Sequence, residues 1–337
     1  MSSRDPIRQI ADAVLYEGYI LWPYRRSALK NQQRWTFGGV YPRAHSERHD
    51  DDPWMMRTEC LLQAEDRARV EVRVRFLHVV ERRIARYTAA GSEFVDELEV
   101  EGTRHLSWQE ARERELAARD LRPGDLVSGR TVPIEIAPGE EREAVTDSSG
   151  SVAGEIVRGW RGLHGAVRMG AEPLDPGLLR LRVTIENDTA WPGGERSEAL
   201  ERTFCSTHTT LRVADGSFVS LTDPPAELRE HAEGCRNEGT WPVLVGERGE
   251  AHTMLSSPII LEDYPRVAPE SPGDLFDGGE IDQLLTLNIL SLTEEEKREM
   301  RDSDPRAREI LERTERLSEE ELMALHGAIR EIAVRRP

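Results

Sequence analysis

The 337-residue sequence has little cysteine, almost no lysine and no long apolar run. Its three cysteines, Cys60, Cys205 and Cys235, are too few and too scattered for a disulfide framework. No segment approaches the roughly 18 consecutive apolar residues that a membrane span needs, and the first residues lack the apolar centre of a signal peptide. These absences lead us to expect a cytoplasmic protein that does not insert into a membrane.

Positive charge is scarce, because 45 Lys plus Arg stand against 63 Asp plus Glu and the formal net charge is −18. Lys30 and Lys297 are the only lysines, so Arg carries nearly all of the positive charge. Nucleic-acid binding depends on a basic face that neutralises phosphates. The net charge therefore argues against a nucleic acid as the partner.

The common signatures of catalysis and nucleotide binding are also missing from the sequence. We find no phosphate-binding G-x-x-x-x-G-K-[ST] loop, no dinucleotide G-x-G-x-x-G fingerprint, no G-x-S-x-G elbow and no H-E-x-x-H zinc motif. These absences do not exclude catalysis, but they remove the simplest arguments for it.

Aromatic residues are few, yet they concentrate near the N-terminus. The chain holds 7 Trp, 6 Tyr and 6 Phe. Residues 16–42, which we call the opening block, contain seven of them, together with four basic side chains and one acidic one. The seven rings are Tyr16, Tyr19, Trp22, Tyr24, Trp35, Phe37 and Tyr41.

The opening block has three interpretations. It can be a core in which rings pack and Arg side chains lie over them. It can be a partner surface, because Trp, Tyr and Arg dominate binding hot spots. Stacking on single-stranded nucleic acid is the third, and the net charge opposes it. The residues of the partner surface would be Trp22, Tyr24, Arg25, Arg26, Trp35 and Tyr41.

Composition and periodicity divide the chain into four parts. Residues 1–54 combine a predicted first helix with the opening block, and residues 55–261 are rich in predicted strands. Residues 262–279 form an extended arm rich in Pro, Gly and acidic residues, and residues 280–337 contain capping boxes typical of helices. The pattern predicts an α+β fold. It would have a β-rich, antiparallel, sandwich-like core, an N-terminal helix and a C-terminal helical appendage.

Two local signals interrupt the predicted strands of the core. Ser107 and Glu110 are spaced as a capping box, which predicts a helix over residues 107–119. Asp215-Gly216 predicts a hairpin turn. The clearest strand is RVEVRVRF, residues 69–76, where apolar and charged residues alternate. Further strands are predicted at residues 131–137, 152–158, 163–169, 178–187 and 203–213.

Cys205-x2-His208 and His231-x3-Cys235 form the best candidate metal site. Two thiolates and two imidazoles could hold zinc or another transition metal. However, positions i and i+3 of a strand point to opposite faces. The other interpretation is that Cys205 is a small core residue, while His231 and Cys235 lie at an exposed helix end.

Two weaker arrangements remain open. Cys205 with His208 or His252 could supply a nucleophile and a base. In HSERHDDD, His45 and His49 would share one face of a helix beside the acidic residues 50–52. This segment would then be a metal site, and the other interpretation is a hydrophilic loop.

Two stretches resemble a known group of proteins. They are YEGYILWPYRRSALKNQQRWTFGGVYP, residues 16–42, and SSPIILEDYPRVAPESPGDLFDGGEIDQLLTLNILSLTEEEKREMRDSDPRAREILERTE, residues 256–315. Both are similar to an uncharacterised bacterial protein family encoded in gene clusters for high-affinity uptake NiFe-hydrogenases. The resemblance implies a role in assembly, maturation or stabilisation of a hydrogenase, and it assigns no functional residues.

We therefore expect a non-catalytic accessory factor that binds a protein partner, either a hydrogenase subunit or a maturation factor. The opening block would be the main contact, and Tyr264 and Phe276 of the arm would add a second one. Another hypothesis is a purely structural β-sandwich protein whose C-terminal helices drive homo-oligomerisation. The alternative is a metal-binding protein or enzyme that uses Cys205, His208, His231, Cys235 and His252.

Overall fold

The computed structural model describes residues 38–265 continuously, together with Ile10, Ala11, Leu15 and eleven positions between 292 and 316. The chain divides into two compact units. One comprises Met1–Ile20 with Gln33–Pro265, and the other comprises Leu21–Gln32 with Arg266–Pro337. The first unit contains the strands described below.

Strand β1, Met55–Thr88, is 34 residues long and organises the sheet. Along one edge it pairs with β10 (Leu178–Asn187), then β5 (Trp108–Leu121) and β2 (Gly91–Val95). Along the other edge it pairs with β11 (Cys205–Val219) and then β8 (Val152–Trp160). The other strands are β3 (Glu97–Val100), β4 (Thr103–Leu106), β6 (Arg130–Ile136), β7 (Gly139–Thr146), β9 (Leu163–Asp175), β12 (Trp241–Leu244) and β13 (Thr253–Ser257).

All of the strand pairs are antiparallel. The main path of the large sheet runs β12–β13–β11–β1–β10–β9–β6, with β2, β5 and the β8–β7 pair attached to β1, and β3 and β4 form a separate hairpin. This confirms the prediction of a β-rich antiparallel fold. The helical turns between the strands are α1 (Arg43–Ser46), α2 (Pro123–Ser128), α3 (Arg196–Leu200), a 3-10 turn (Ala226–Leu228) and α4 (Arg229–Glu233). Within the part of the chain that the structure describes, no helix combines the length and apolar character of a membrane span.

The main core lies between the inner faces of β1, β9, β10 and β11. Val70, Val72 and Val74 of β1 are almost fully buried there, as their alternation with charged residues predicts. Phe76 and Phe204 stack in this core with ring centroids 4.7 Å apart. Large rings and branched side chains therefore hold this part of β1 against its neighbouring strands.

The predicted helix over residues 107–119 is wrong, because this segment is strand β5. The Ser107 hydroxyl does not cap a helix. It accepts the amide of Ile84 (3.0 Å) and donates to the carbonyl of Val95 (2.7 Å). Pairing with β1 along most of its length, including the ion pair between Arg75 and Glu113 (2.7 Å), overrides the helix propensity of the local sequence.

The predicted hairpin at Asp215-Gly216 is also wrong, since β11 continues through it to Val219. Asp215 has a positive φ of 56°, and the register with β1 shifts between Ala64 and Arg69. The register places residues 65–68 of β1 opposite Asp215 alone, so β11 continues past a bulge in β1 instead of turning back. The strands predicted at 131–137, 152–158, 163–169 and 178–187 match β6, β8, β9 and β10.

Candidate functional site

Most of the predicted partner-contact residues lie outside the described part of the chain. These are Trp22, Tyr24, Arg25, Arg26, Trp35 and Phe276. Tyr41 is described and is only 2% exposed, with its ring packed near Leu77 and Cys205. Tyr264 is half-buried against the main core, and its amide donates to the carbonyl of Leu244 (2.7 Å). Tyr41 therefore offers no ring to a partner.

The candidate metal ligands do not converge. Cys205 is fully buried in one apolar cluster, and Cys235 packs in another, beside Leu61 and Leu178. His231 is bound to Asp175, with 3.0 Å between Nε2 and Oδ2. Among the described residues, no group of three or more His, Cys, Asp or Glu side chains is arranged to hold a metal ion.

Cys205 and His208 also lack the properties of a nucleophile and a base. Burial raises the pKa of the Cys205 thiol. Burial, and then the charge of Arg75, lowers the pKa of His208 to about 3. His208 donates from Nδ1 to the Ser206 carbonyl (3.2 Å), and it is fully buried. His252 lies on the surface and donates to the Gly216 carbonyl (2.9 Å).

The segment HSERHDDD supplies part of a buried polar network instead. His45 lies in α1 and donates from Nε2 to Oδ2 of Asp52 (2.9 Å). Arg196 of α3 binds both oxygens of Asp52, from Nε (3.0 Å) and from Nη2 (2.9 Å). Burial by itself would raise the pKa of Asp52, but the hydrogen bonds from Arg196 and His45 lower it below its ordinary value.

Aromatic rings surround this network. The ring of His45 stacks on Tyr41 (5.4 Å) and on His49 (4.3 Å), and it meets Trp191 edge-on (5.6 Å). Arg196 also donates to the hydroxyl of Tyr41, and burial raises the pKa of that hydroxyl. The network therefore links α1 with α3 and places the His45 ring against Trp191. The rings of His45 and His49 lie together, although α1 ends at Ser46 and His49 is outside it, and the sequence gave no sign of Arg196.

Trp191 forms one wall of an open groove of about 610 Å³. The groove lies where the β8–β9 turn meets the loop after β10, the end of β6 and Arg202, the second residue after α3. Its apolar lining consists of Ile136, Leu163, Ala190, Trp191 and Pro192. Its polar lining consists of Arg161, His164, Thr189 and Arg202. We call this feature the Trp191 groove.

The charged side chains of the Trp191 groove are all basic. Arg161 is paired with Glu201 (2.8 Å). Arg202 lies over the Trp191 ring at 5.7 Å and donates to the Glu198 carbonyl (3.1 Å), but it has no carboxylate partner among the described residues. Asp and Glu do not occur among the described residues that line the groove. An apolar floor thus adjoins a cation that no described carboxylate neutralises.

The Arg161–Glu201 pair separates the Trp191 groove from a smaller pocket of about 260 Å³. Gly159 lines this pocket and leaves space, because a side chain there would meet nothing within 4 Å. Arg83 lies 3.8 Å from Glu140 and 3.9 Å from Glu81. Three Glu and two Arg side chains line this pocket, and each Arg has a carboxylate partner, so the pocket offers no unpaired cation among the described residues.

Comparison with known proteins adds no further constraint. No protein-family model matches this chain, and a search of curated proteins gives no significant match. The sequence signal that could have indicated the groove is Trp191-Pro192 followed by two glycines, a loop that presents a large ring. Its other lining residues come from distant segments and had no local signal.

Proposed function

We propose that the protein is a non-catalytic accessory factor that binds a protein partner. The Trp191 groove carries this proposal, because it combines an apolar floor with a Trp ring and an Arg that has no acidic partner among the described residues. Trp and Arg are enriched in binding hot spots, and binding sites are typically apolar concavities with a few placed polar groups. The cysteine and histidine candidates for catalysis are buried or already bonded, and they support an enzyme less well.

The resemblance to proteins encoded with uptake NiFe-hydrogenases suggests which partner this is. We assign the protein to assembly, maturation or stabilisation of such a hydrogenase, through contact with a hydrogenase subunit or a maturation factor in the cytoplasm. The antiparallel sheet would act as a sandwich-like scaffold, and residues 280–337 would add a helical appendage. The opening block remains a predicted second contact.

Affinity purification from the native host under anaerobic conditions, with mass spectrometry of the eluate, tests this proposal. Wild type is compared with Arg202→Glu, with the triple variant Trp22→Ala/Arg25→Ala/Trp35→Ala, and with an untagged host. All three forms of the protein must have matched thermal stability.

We expect hydrogenase subunits or maturation proteins to co-elute with wild type and to decrease in at least one of the two variants. Recovery of the same proteins from the untagged host, or recovery of no hydrogenase-related protein with wild type, would refute the proposed function.

A further inference from the structure

We infer that the Trp191 groove binds an extended segment of a partner protein in which an aromatic or aliphatic side chain stands beside a carboxylate. This inference rests on the proposed function and deepens it, because it names the chemistry of the partner. It follows from three properties of the described residues: a rigid wall, an apolar floor and an unpaired cation.

Hydrogen bonds of buried side chains hold the loop that forms one wall of the groove. Asn187 is fully buried and donates from Nδ2 to the carbonyls of Val40 and Arg202, both at 2.8 Å. Its Oδ1 accepts the amide of Thr189 (3.0 Å). The Thr189 hydroxyl accepts the amide of His164 (2.9 Å) and donates to its carbonyl (3.1 Å). A loop fixed in this way is ordered before binding, which lowers the entropic cost of the complex.

The apolar floor of the groove favours an apolar side chain of the partner. Leu163 is 2% exposed, so its side chain closes the base of the groove. Trp191 packs against the cluster that contains Leu77 and Cys205, and it also borders the groove. A Phe or Leu side chain placed against this ring would bury apolar surface on both partners.

Arg202, at the rim of the groove, favours a carboxylate of the partner next to that apolar side chain. The Glu198 carbonyl and the Trp191 ring hold the guanidinium of Arg202, and its other N–H donors meet no acceptor among the described residues. Arg binds carboxylates through two parallel hydrogen bonds. Arg48 adds positive charge nearby, since its Nη1 lies 4.0 Å from the position of a side chain built on Gly193, and it has no carboxylate partner among the described residues.

Charge complementarity also disfavours other occupants. The protein carries a net charge of −18, so an acidic partner segment is repelled elsewhere and attracted where basic groups lack partners. A basic segment would find no acidic group among the described lining residues.

Fluorescence anisotropy with labelled synthetic peptides tests the inference. The probe is a ten-residue Gly/Ser peptide with a central Phe-Glu pair, and matched peptides carry Phe-Lys or Ala-Glu in its place. The proteins are wild type, Arg202→Gln and the control Arg168→Gln, which neutralises an exposed Arg of β9 that is paired with Glu186 (2.8 Å).

We expect wild type to bind the Phe-Glu peptide about tenfold more tightly than either matched peptide, which corresponds to about 1.4 kcal/mol. Arg202→Gln should lose about tenfold in affinity, and Arg168→Gln should not change. Equal affinity for the three peptides, tighter binding of the Phe-Lys peptide, or full affinity in Arg202→Gln would overturn the inference. A dimer in light scattering that Arg202→Gln dissociates would also overturn it, because the occupant would then be a second copy of the chain.

The two proposals fail separately. If the Phe-Glu peptide shows no preference while hydrogenase proteins still co-purify with wild type, the accessory role stands and the groove inference falls. If the peptide binds as expected and no hydrogenase protein co-purifies, the groove chemistry stands and the assigned partner is wrong.

Discussion

Asp52 shows how a single buried carboxylate organises its surroundings. Its two oxygens accept hydrogen bonds from His45 and from two nitrogens of Arg196. A buried charge is stable only when its acceptor sites are filled in this way. Because His45 meets Trp191 edge-on, the network also fixes one wall of the groove.

We predict that Asp52→Asn lowers the free energy of unfolding by about 2 kcal/mol, because the amide cannot accept all of the donors and Arg196 loses its counter-charge. Urea unfolding at pH 7 measures the change. The control is Asp51→Asn, which alters an exposed neighbour and should change stability by less than about 0.5 kcal/mol. Equal stability of the two variants would contradict the role of Asp52 as the shared acceptor of His45 and Arg196.

We predict that the protein loses stability when the pH falls from 7 to 5. Burial, and then the charge of Arg114, lowers the pKa of His78 to about 4, and burial, and then Arg75, lowers that of His208 to about 3, against an ordinary value of 6.5. In this range the unfolded chain binds protons that the folded protein excludes. Each histidine therefore removes up to about 1.4 kcal/mol per pH unit. Urea unfolding at pH 7, 6 and 5 tests this, and a flat profile would refute it.

At the scale of the secondary-structure elements, strand β9 packs closely against β10 and against the Phe204 ring. At Gly165 a side chain would overlap the carbonyl oxygen of Glu186 and come within 3.0 Å of the Phe204 ring. At Gly170, on the same strand, a side chain would meet only the Leu126 carbonyl oxygen at 3.9 Å. The two glycines therefore have different roles in one strand.

We predict that Gly165→Ala lowers the free energy of unfolding by about 2 kcal/mol, because the added methyl group forces the Glu186 backbone or the Phe204 ring to move. Gly170→Ala is the matched control and should be close to neutral. Thermal unfolding of the two variants measures the difference. Equal stability of Gly165→Ala and Gly170→Ala would contradict the close packing of β9 against β10.

At the scale of the whole molecule, β1 connects the apolar clusters of the first unit. Val70 and Phe76 belong to the main core, Leu77 and Val79 to the cluster around Cys205, and Ile84 to a third cluster. A strand shared by several clusters couples their unfolding. We therefore expect these clusters to open together.

We predict that Cys60 and Cys205 react with a thiol reagent at the same rate, set by global unfolding. Both are fully buried, in different clusters, and burial raises the pKa of both thiols. Cys235 is only partly buried and serves as the internal control, which should react first. Mass spectrometry of digests during labelling in dilute urea separates the three sites. Clearly different rates for Cys60 and Cys205 would show that the clusters open independently.

The sequence by itself determined the β-rich character of the protein and several of its strands. Alternation of Val70, Val72 and Val74 with charged residues is a local property, because each side chain of a strand points to the face opposite its neighbour. The acidic net charge was likewise readable from the sequence.

Only the tertiary structure decided which segments meet. Residues 107–121 have the composition of a helix, yet pairing with β1 makes most of them strand β5. Asp52 finds Arg196 across 144 positions of the chain, and the Trp191 groove gathers Ile136, Leu163 and Arg202 from separate segments. Contacts of this kind depend on how a sheet brings distant residues together, and local propensity and spacing carry no information about that.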